Sequence, residues 1–420
     1  MNTTPAVQRA ALDVSLAEAA RLTYVLAGAI SITSIKGLED LIIMACVSAF
    51  PSVRGRTAEL GAALVHADQI RCASLARTLL RRAMAEHHAL VDLAVSHQKD
   101  GLKLAEARDA LDGCATVSAA LLYYQQDDGS REIPWSLQDE ALAIGESLIT
   151  RQFDATLFRD AAGTSALVCC VRCGWAIISS LASDPTFLLR RARRIVHALD
   201  RGLEFDDDDD DKLDSNHQLA CLEAALGCLA KLQLNSMQIL DQDQDILMPI
   251  LSTDIPQLLK RIVVRVAASF NNNKTIINTT QQRLYRLVAG ATLEIYAAIP
   301  ANLLVNIPDD NLAQAFRWSL SLFKQTVYLG GSSTSNDQEA EAQTNKETNE
   351  NLATCTVLEN VLSKTSIALN MTHYAQGHGC GDDPSDAALA VINAGSSDDA
   401  AAALALAYLS APHHTNNYLY

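Results

Sequence analysis

Residues 163–205 read GTSALVCCVRCGWAIISSLASDPTFLLRRARRIVHALDRGLEF. The first part is an almost unbroken apolar run. Asp184-Pro185 then sets a capping carboxylate before a proline at the first position of a helix. The pattern predicts two helices, near 163–183 and 185–203, joined by a short turn. Ala161 to Ala182 has the length to cross a bilayer, which needs ~20 apolar residues. Arg172 sits at its middle, and a central Arg costs about 2.5–3.5 kcal/mol on insertion. A buried core helix is therefore expected, with no stable membrane insertion.

The same periodicity extends outward from this hairpin. Leu60, Ala63, Leu64 and Ala67 recur at three- and four-residue spacing, as do Leu284, Leu287, Val288 and Ala291. Further helices are predicted near residues 5–30, 36–50, 56–97, 102–124, 135–153, 215–240, 245–270, 278–299, 309–329, 351–375 and 385–410. Pro300 and Pro308 bracket a connector, and Asp309 and Asp310 precede the next helix. No convincing alternation of polar and apolar residues marks a hairpin of strands. Hydrophobic residues make up 49% of the 420-residue chain but aromatics only 5%, so Ala and Leu carry the core, which favours helices. The expected fold class is all-α: stacked antiparallel helical hairpins in an α-solenoid, with a compact helical domain as the alternative.

Two stretches interrupt the pattern. Phe205 to Ser215 contains Asp206, Asp207, Asp208, Asp209, Asp210 and Asp211, whose repulsion opposes packing. Gly330 to Asn351 is polar and nearly free of apolar residues. The predicted organisation is a repeat-like array over 1–329 with an acidic loop at 205–215, a disordered linker over 330–350, and C-terminal helices over 351–420.

Three fragments resemble HEAT repeats, in which an Asp-Pro turn leads to a second helix opening with an aliphatic residue and Arg. Leu181 to Pro185 leads to Leu189-Arg190 and Ala192. Ser52-Val53-Arg54 leads to Ala58, Leu60 and Gly61. Leu247-Met248-Pro249-Ile250-Leu251 is similar to a first helix, followed by Asp254, Pro256 and Arg261. The resemblance implies a curved HEAT- or armadillo-like array that binds other proteins in trafficking, transport or complex assembly.

The net charge is −16, from 33 basic and 49 acidic residues, so nucleic acid is a poor partner. Met1 to Ala20 lacks a basic start followed by an apolar block, and most of the ten cysteines lie in apolar helical stretches. A cytoplasmic location follows as an expectation.

Candidate chemistry is sparse. Cys170 and Cys173 form a C-x-x-C pair beside Cys169, yet no second ligand pair follows, so small buried thiols are expected. Glu86, His87, His88 and His97 lack the His-Glu-x-x-His order of a zinc peptidase and read as a solvated helix face. His373, His378, Cys380, Asp382 and Asp383, with His413 and His414, match no known metal spacing. The aspartate run lacks the glycine and terminal Glu of a calcium loop.

Arg190, Arg191, Arg193 and Arg194 form a basic cluster, and Arg77, Arg81 and Arg82 another. The arginines of the first, with Asp206 to Asp211, are the candidate protein-docking residues. Pairing within the chain is the competing reading for both sets. No phosphate loop, dinucleotide fingerprint or nucleophile elbow occurs. No catalytic residue, metal ligand or cofactor is assigned. The expected function is a non-catalytic protein-binding scaffold or adaptor with protein partners, the alternative being an all-helical enzyme with dispersed active-site residues.

Overall fold

Helix boundaries in the computed structural model follow from local capping chemistry. The structure describes residues 4–96, 100–123, 133–153, 161–203, 216–259 and 261–262. Among them the order is α1 (Pro5–Val25), α2 (Ile32–Ala45), α3 (Pro51–Ala67), α4 (Gln69–Val95) and α5 (Gly101–Leu122). There follow α6 (Trp135–Ile149), α7 (Ala161–Leu181), α8 (Pro185–Leu203), α9 (Asn216–Gln238) and α10 (Gln244–Pro249), with no strand among the described residues. Prolines open α1, α3 and α8, where a missing N–H costs nothing. Ser31 Oγ caps α2 at the Ser34 N–H, and Asp100 Oδ1 accepts from Leu102 and Lys103 at the start of α5.

The single helix expected over 56–97 is in fact two. Asp68 adopts φ −154° and ψ 96°, and its Oδ1 accepts from the Arg71 N–H to begin a new helix. A short polar residue that can satisfy an orphan N–H ends one helix and starts the next without glycine or proline. The expected pair at 163–183 and 185–203 matches α7 and α8 closely. Asp184 Oδ1 accepts from the N–H groups of Thr186 at 2.9 Å and Phe187 at 3.3 Å, as its position before Pro185 predicts.

The chain divides into two units, residues 1–210 with 217–243, and residues 211–216 with 244–420. In the first, α1 packs on α3, α3 on α5 and α5 on α7, while α4 packs on α6 and α6 on α8. Neighbours along the chain also pair, as α2 with α3, α3 with α4, α4 with α5, α6 with α7 and α7 with α8. Most of these helices therefore meet a chain neighbour and a helix two places away, and α4 also packs on α7. The core is aliphatic, built on residues such as Leu60, Leu64, Leu79, Leu111 and Ile178, with Trp175 and Phe187 the bulkiest fully buried side chains among the described residues.

Glycines fix two close approaches. A Cβ at Gly113 of α5 would lie 1.6 Å from the Cys46 carbonyl oxygen and 2.8 Å from Arg54 Cδ. On α6 and α7, Gly145 and Gly174 face one another. A Cβ at Gly174 would lie 2.7 Å from the Gly145 oxygen, and one at Gly145 would lie 3.2 Å from the Gly174 oxygen. Only hydrogen side chains let these backbones approach so closely.

Helix α7 is, among the described residues, the one helix long and apolar enough to cross a membrane. Cys170, Val171, Trp175, Ile177 and Ile178 are buried in it, while Arg172 is exposed. Within the second unit, a π-helical turn (Ile250–Asp254) follows α10 and precedes Pro256, which has no N–H for the Ser252 carbonyl. Leu247, Ile250 and Leu251 are buried there. The expectations for 205–215, 278–299, 309–329, 330–350 and 351–420 lie outside the described residues.

Candidate functional site: an arginine ridge on α4, α6 and α8

Four arginines of α8 fall within one and a half turns, and the structure separates their roles. Phe187, Leu188, Ala192, Ile195 and Leu199 form the buried face of α8. Arg191 reaches sideways to α6, where its Nε and Nη2 donate to the two carboxylate oxygens of Asp139 at 3.0 and 3.3 Å. Arg194 forms a second fork with Glu146, at 2.8 and 2.6 Å. Hydrogen bonding from Arg191 is the main cause holding the Asp139 carboxyl below its ordinary range. Such half-exposed pairs contribute up to about 1 kcal/mol each, so their main effect is to fix register between α6 and α8.

Arg190 is held differently. Its Nε donates to the Thr186 carbonyl at 3.3 Å and its Nη2 to Gln138 Oε1 at 3.1 Å. Its guanidinium carbon lies 3.6 Å from the ring centroid of Trp135, the first residue of α6. The Gln138 amide in turn donates to Asp184 Oδ2 at 2.5 Å. Gln138 is buried, so one side chain links the cap of α8 to the position of Arg190. Arg193 is exposed, and neither it nor Arg190 has an ion pair among the described residues.

The earlier arginine cluster joins the same surface from α4. Arg77 and Arg81 share Glu140 of α6, at 3.1 and 3.2 Å, and Arg77 also donates to Ser136 Oγ. Arg82 turns away, pairing with Glu86 at 3.6 Å and donating to the Ile43 carbonyl. Arg77, Arg81, Arg191 and Arg194 are thus paired within the chain, with carboxylates of α6. The run Asp206 to Asp211 lies outside the described residues. Trp135 and Gln138 had no local signal in the sequence, because their partners lie about fifty residues away.

Within the histidine cluster His88 is exposed, as a solvated face requires, but His87 is not. His87 is fully buried, and its Nε2 accepts from Arg151 Nε at 3.0 Å. Burial, then the nearby charge of Arg151, lowers its pKa to about 4, so the ring is neutral. The periodicity held the clue. Ala76, Leu80, Ala83, His87, Leu90 and Ala94 recur at alternating four- and three-residue spacing, and all are buried. His97, His373, His378, Cys380, Asp382, Asp383, His413 and His414 lie outside the described residues.

Two of the three cysteines of α7 are buried as expected, and Cys169 is half-buried. Cys170 and Cys173 are buried, and burial pushes the Cys170 thiol well above its ordinary range. Cys46 and Cys114 bring their sulfurs to 3.9 Å beneath the α2–α3 turn. Contact with Cys46, then burial, pushes the Cys114 thiol up. Among the described residues, no group of three or more His, Cys, Asp or Glu is placed to hold a metal ion.

Comparison with known proteins adds no relative: no family model, curated protein or solved structure matches the chain.

Proposed function

We propose that this chain is a non-catalytic, protein-binding scaffold built on a HEAT- or armadillo-like α-solenoid. The observation that carries this reading is the alternation of neighbours. α1, α3, α5 and α7 pack in sequence, and so do α4, α6 and α8. Two rows of helices packed in this order, with α4 also touching α7 across them, fit stacked hairpins. The Asp184-Pro185 turn between α7 and α8 supports the HEAT resemblance. The ridge on α4, α6 and α8 supplies a rigid polar surface suited to a protein partner. Buried cysteines packed as small apolar groups fit a reducing, cytoplasmic setting.

Chemical cross-linking of the full chain in cell extract tests the function. A stoichiometric protein partner, cross-linked to the outward faces of α4, α6 and α8, is the expected result. Recovery of no protein, together with thermal stabilisation by a small metabolite, would overturn it in favour of an enzyme. Native-state hydrogen exchange tests the architecture. Leu16→Ala on α1 should loosen α1 to α3 while amides of α7 and α8 keep their protection. Equal loss throughout would indicate a single cooperative domain instead.

A further inference from the structure

We propose that Trp135, Arg190 and Arg193 dock an acidic segment of a partner protein. The proposal rests on the scaffold reading and assigns it a site and a partner chemistry. Arg190 is held in contact by neutral groups, and among the described residues Asp139 acts on it through its charge without an ion pair. The Thr186 carbonyl, the Gln138 amide oxygen and the Trp135 ring orient its guanidinium, and none of them cancels its charge. Its Nη1 donates to no described residue. Stacking fixes the plane of the fork, so a carboxylate can accept from it without the entropy cost of ordering a free arginine.

The support beneath it is built from the interior. Gln138 is 1% exposed and Asp184 2%, and the bond between them ties Arg190 to the α8 cap. Beside it, Trp135 is 61% exposed, a large aromatic surface left open next to a cation. Aromatic and arginine side chains of this kind dominate binding energy at protein interfaces. Arg193 lies three residues on, is exposed on α8, and brings a second charge with no ion pair among the described residues.

A protein segment fits better than a nucleic acid or a lipid surface. Asp139, Glu140 and Glu146 interleave with the ridge arginines and break any continuous track for phosphates. A peptide can place two carboxylates on Arg190 and Arg193 and an apolar side chain on Trp135, while leaving the paired arginines untouched.

The test uses the full chain and a fluorescein-labelled twelve-residue peptide of Glu and Asp with one central Leu. Fluorescence anisotropy should show saturable binding, and the matching Gln/Asn peptide should not bind. Arg190→Gln, Trp135→Ala and Arg193→Gln should each weaken binding about tenfold. Arg56→Gln, on an exposed pair of α3, should change it less than about twofold. Circular dichroism reports whether each variant is folded, and three independent substitutions keep the test open if one is not. Three outcomes would overturn the proposal: no binding by the intact chain, binding indifferent to all three substitutions, or equal binding of a labelled thymidine oligonucleotide or phosphatidylserine vesicles. A partner cross-linked elsewhere on the surface would retain the scaffold and remove this site.

Discussion

Arg54 on the α3–α5 seam and Arg190 on the α6–α8 seam both follow an aliphatic residue near the start of a helix, and they meet opposite surroundings. Arg54 is buried. Its Nε donates to Asp112 at 2.8 Å, its Nη1 to the Ser48 carbonyl at 2.7 Å, and Asp109 lies 3.5 Å away. Gly113 removes the side chain that would collide with it. Arg190 stands at the surface on a tryptophan with no carboxylate partner among the described residues. The same short sequence pattern serves cohesion in one place and presents an open charge in the other. What decides is the partner helix: α5 sets two acids against Arg54, whereas α6 sets an amide and an indole against Arg190 and commits its nearby Asp139 to Arg191.

The largest effect that could break this contrast is at Gly113. Gly113→Val would force α5 away from the Cys46 carbonyl and should cost about 3 kcal/mol or more, seen as collapse of the urea midpoint. A loss under about 1 kcal/mol would mean the seam is loose. Arg54→Met should cost roughly 1–3 kcal/mol, because it takes the guanidinium from Asp112 and leaves the partly buried Asp109 with Arg108 alone. Arg190→Met should cost less than about 1 kcal/mol, since nothing charged is left unpaired. Equal losses would dissolve the distinction.

A third arginine sharpens it. Arg151 rests against the neutral His87. The imidazole's pKa of about 4 in the fold lies below its ordinary 6.5, so the unfolded chain takes up the proton first. The stability this contributes is complete above pH 6.5 and is lost as pH falls toward 4, by roughly 1–3 kcal/mol. Urea titrations at pH 7 and 4.5 should show that drop in the wild type and a smaller one in His87→Met. At the α8 cap, Asp184→Ala should cost about 1–2 kcal/mol and loosen Arg190 by freeing Gln138. Unchanged quenching of Trp135 in that variant would show that the cap does not position Arg190.

The legible parts of the molecule are those whose chemistry is local. Asp184-Pro185 could be read because a cap uses residues two or three positions apart. Asp68 carried the same signal, but the apolar spacing from Leu60 through Ala76 runs on past it and hides the break. His87 was misread because its polarity outweighed its place in a regular buried stripe. The partners of Arg190, Arg191 and Arg194 could not be read at all. They lie about fifty residues away, and register between helices sets those pairings, which composition does not encode.

The facing glycines at 145 and 174 bear on descent. The Gly145 oxygen occupies the space a methyl group on Gly174 would need, and Ile178 of α7 with the Gly174 oxygen crowds the space one on Gly145 would need. Neither position can drift alone without prying α6 from α7, so the two should stay glycine together through divergence. Paired glycines twenty-nine positions apart, flanked by two apolar helices, would therefore outlast general sequence similarity as a mark of distant kin.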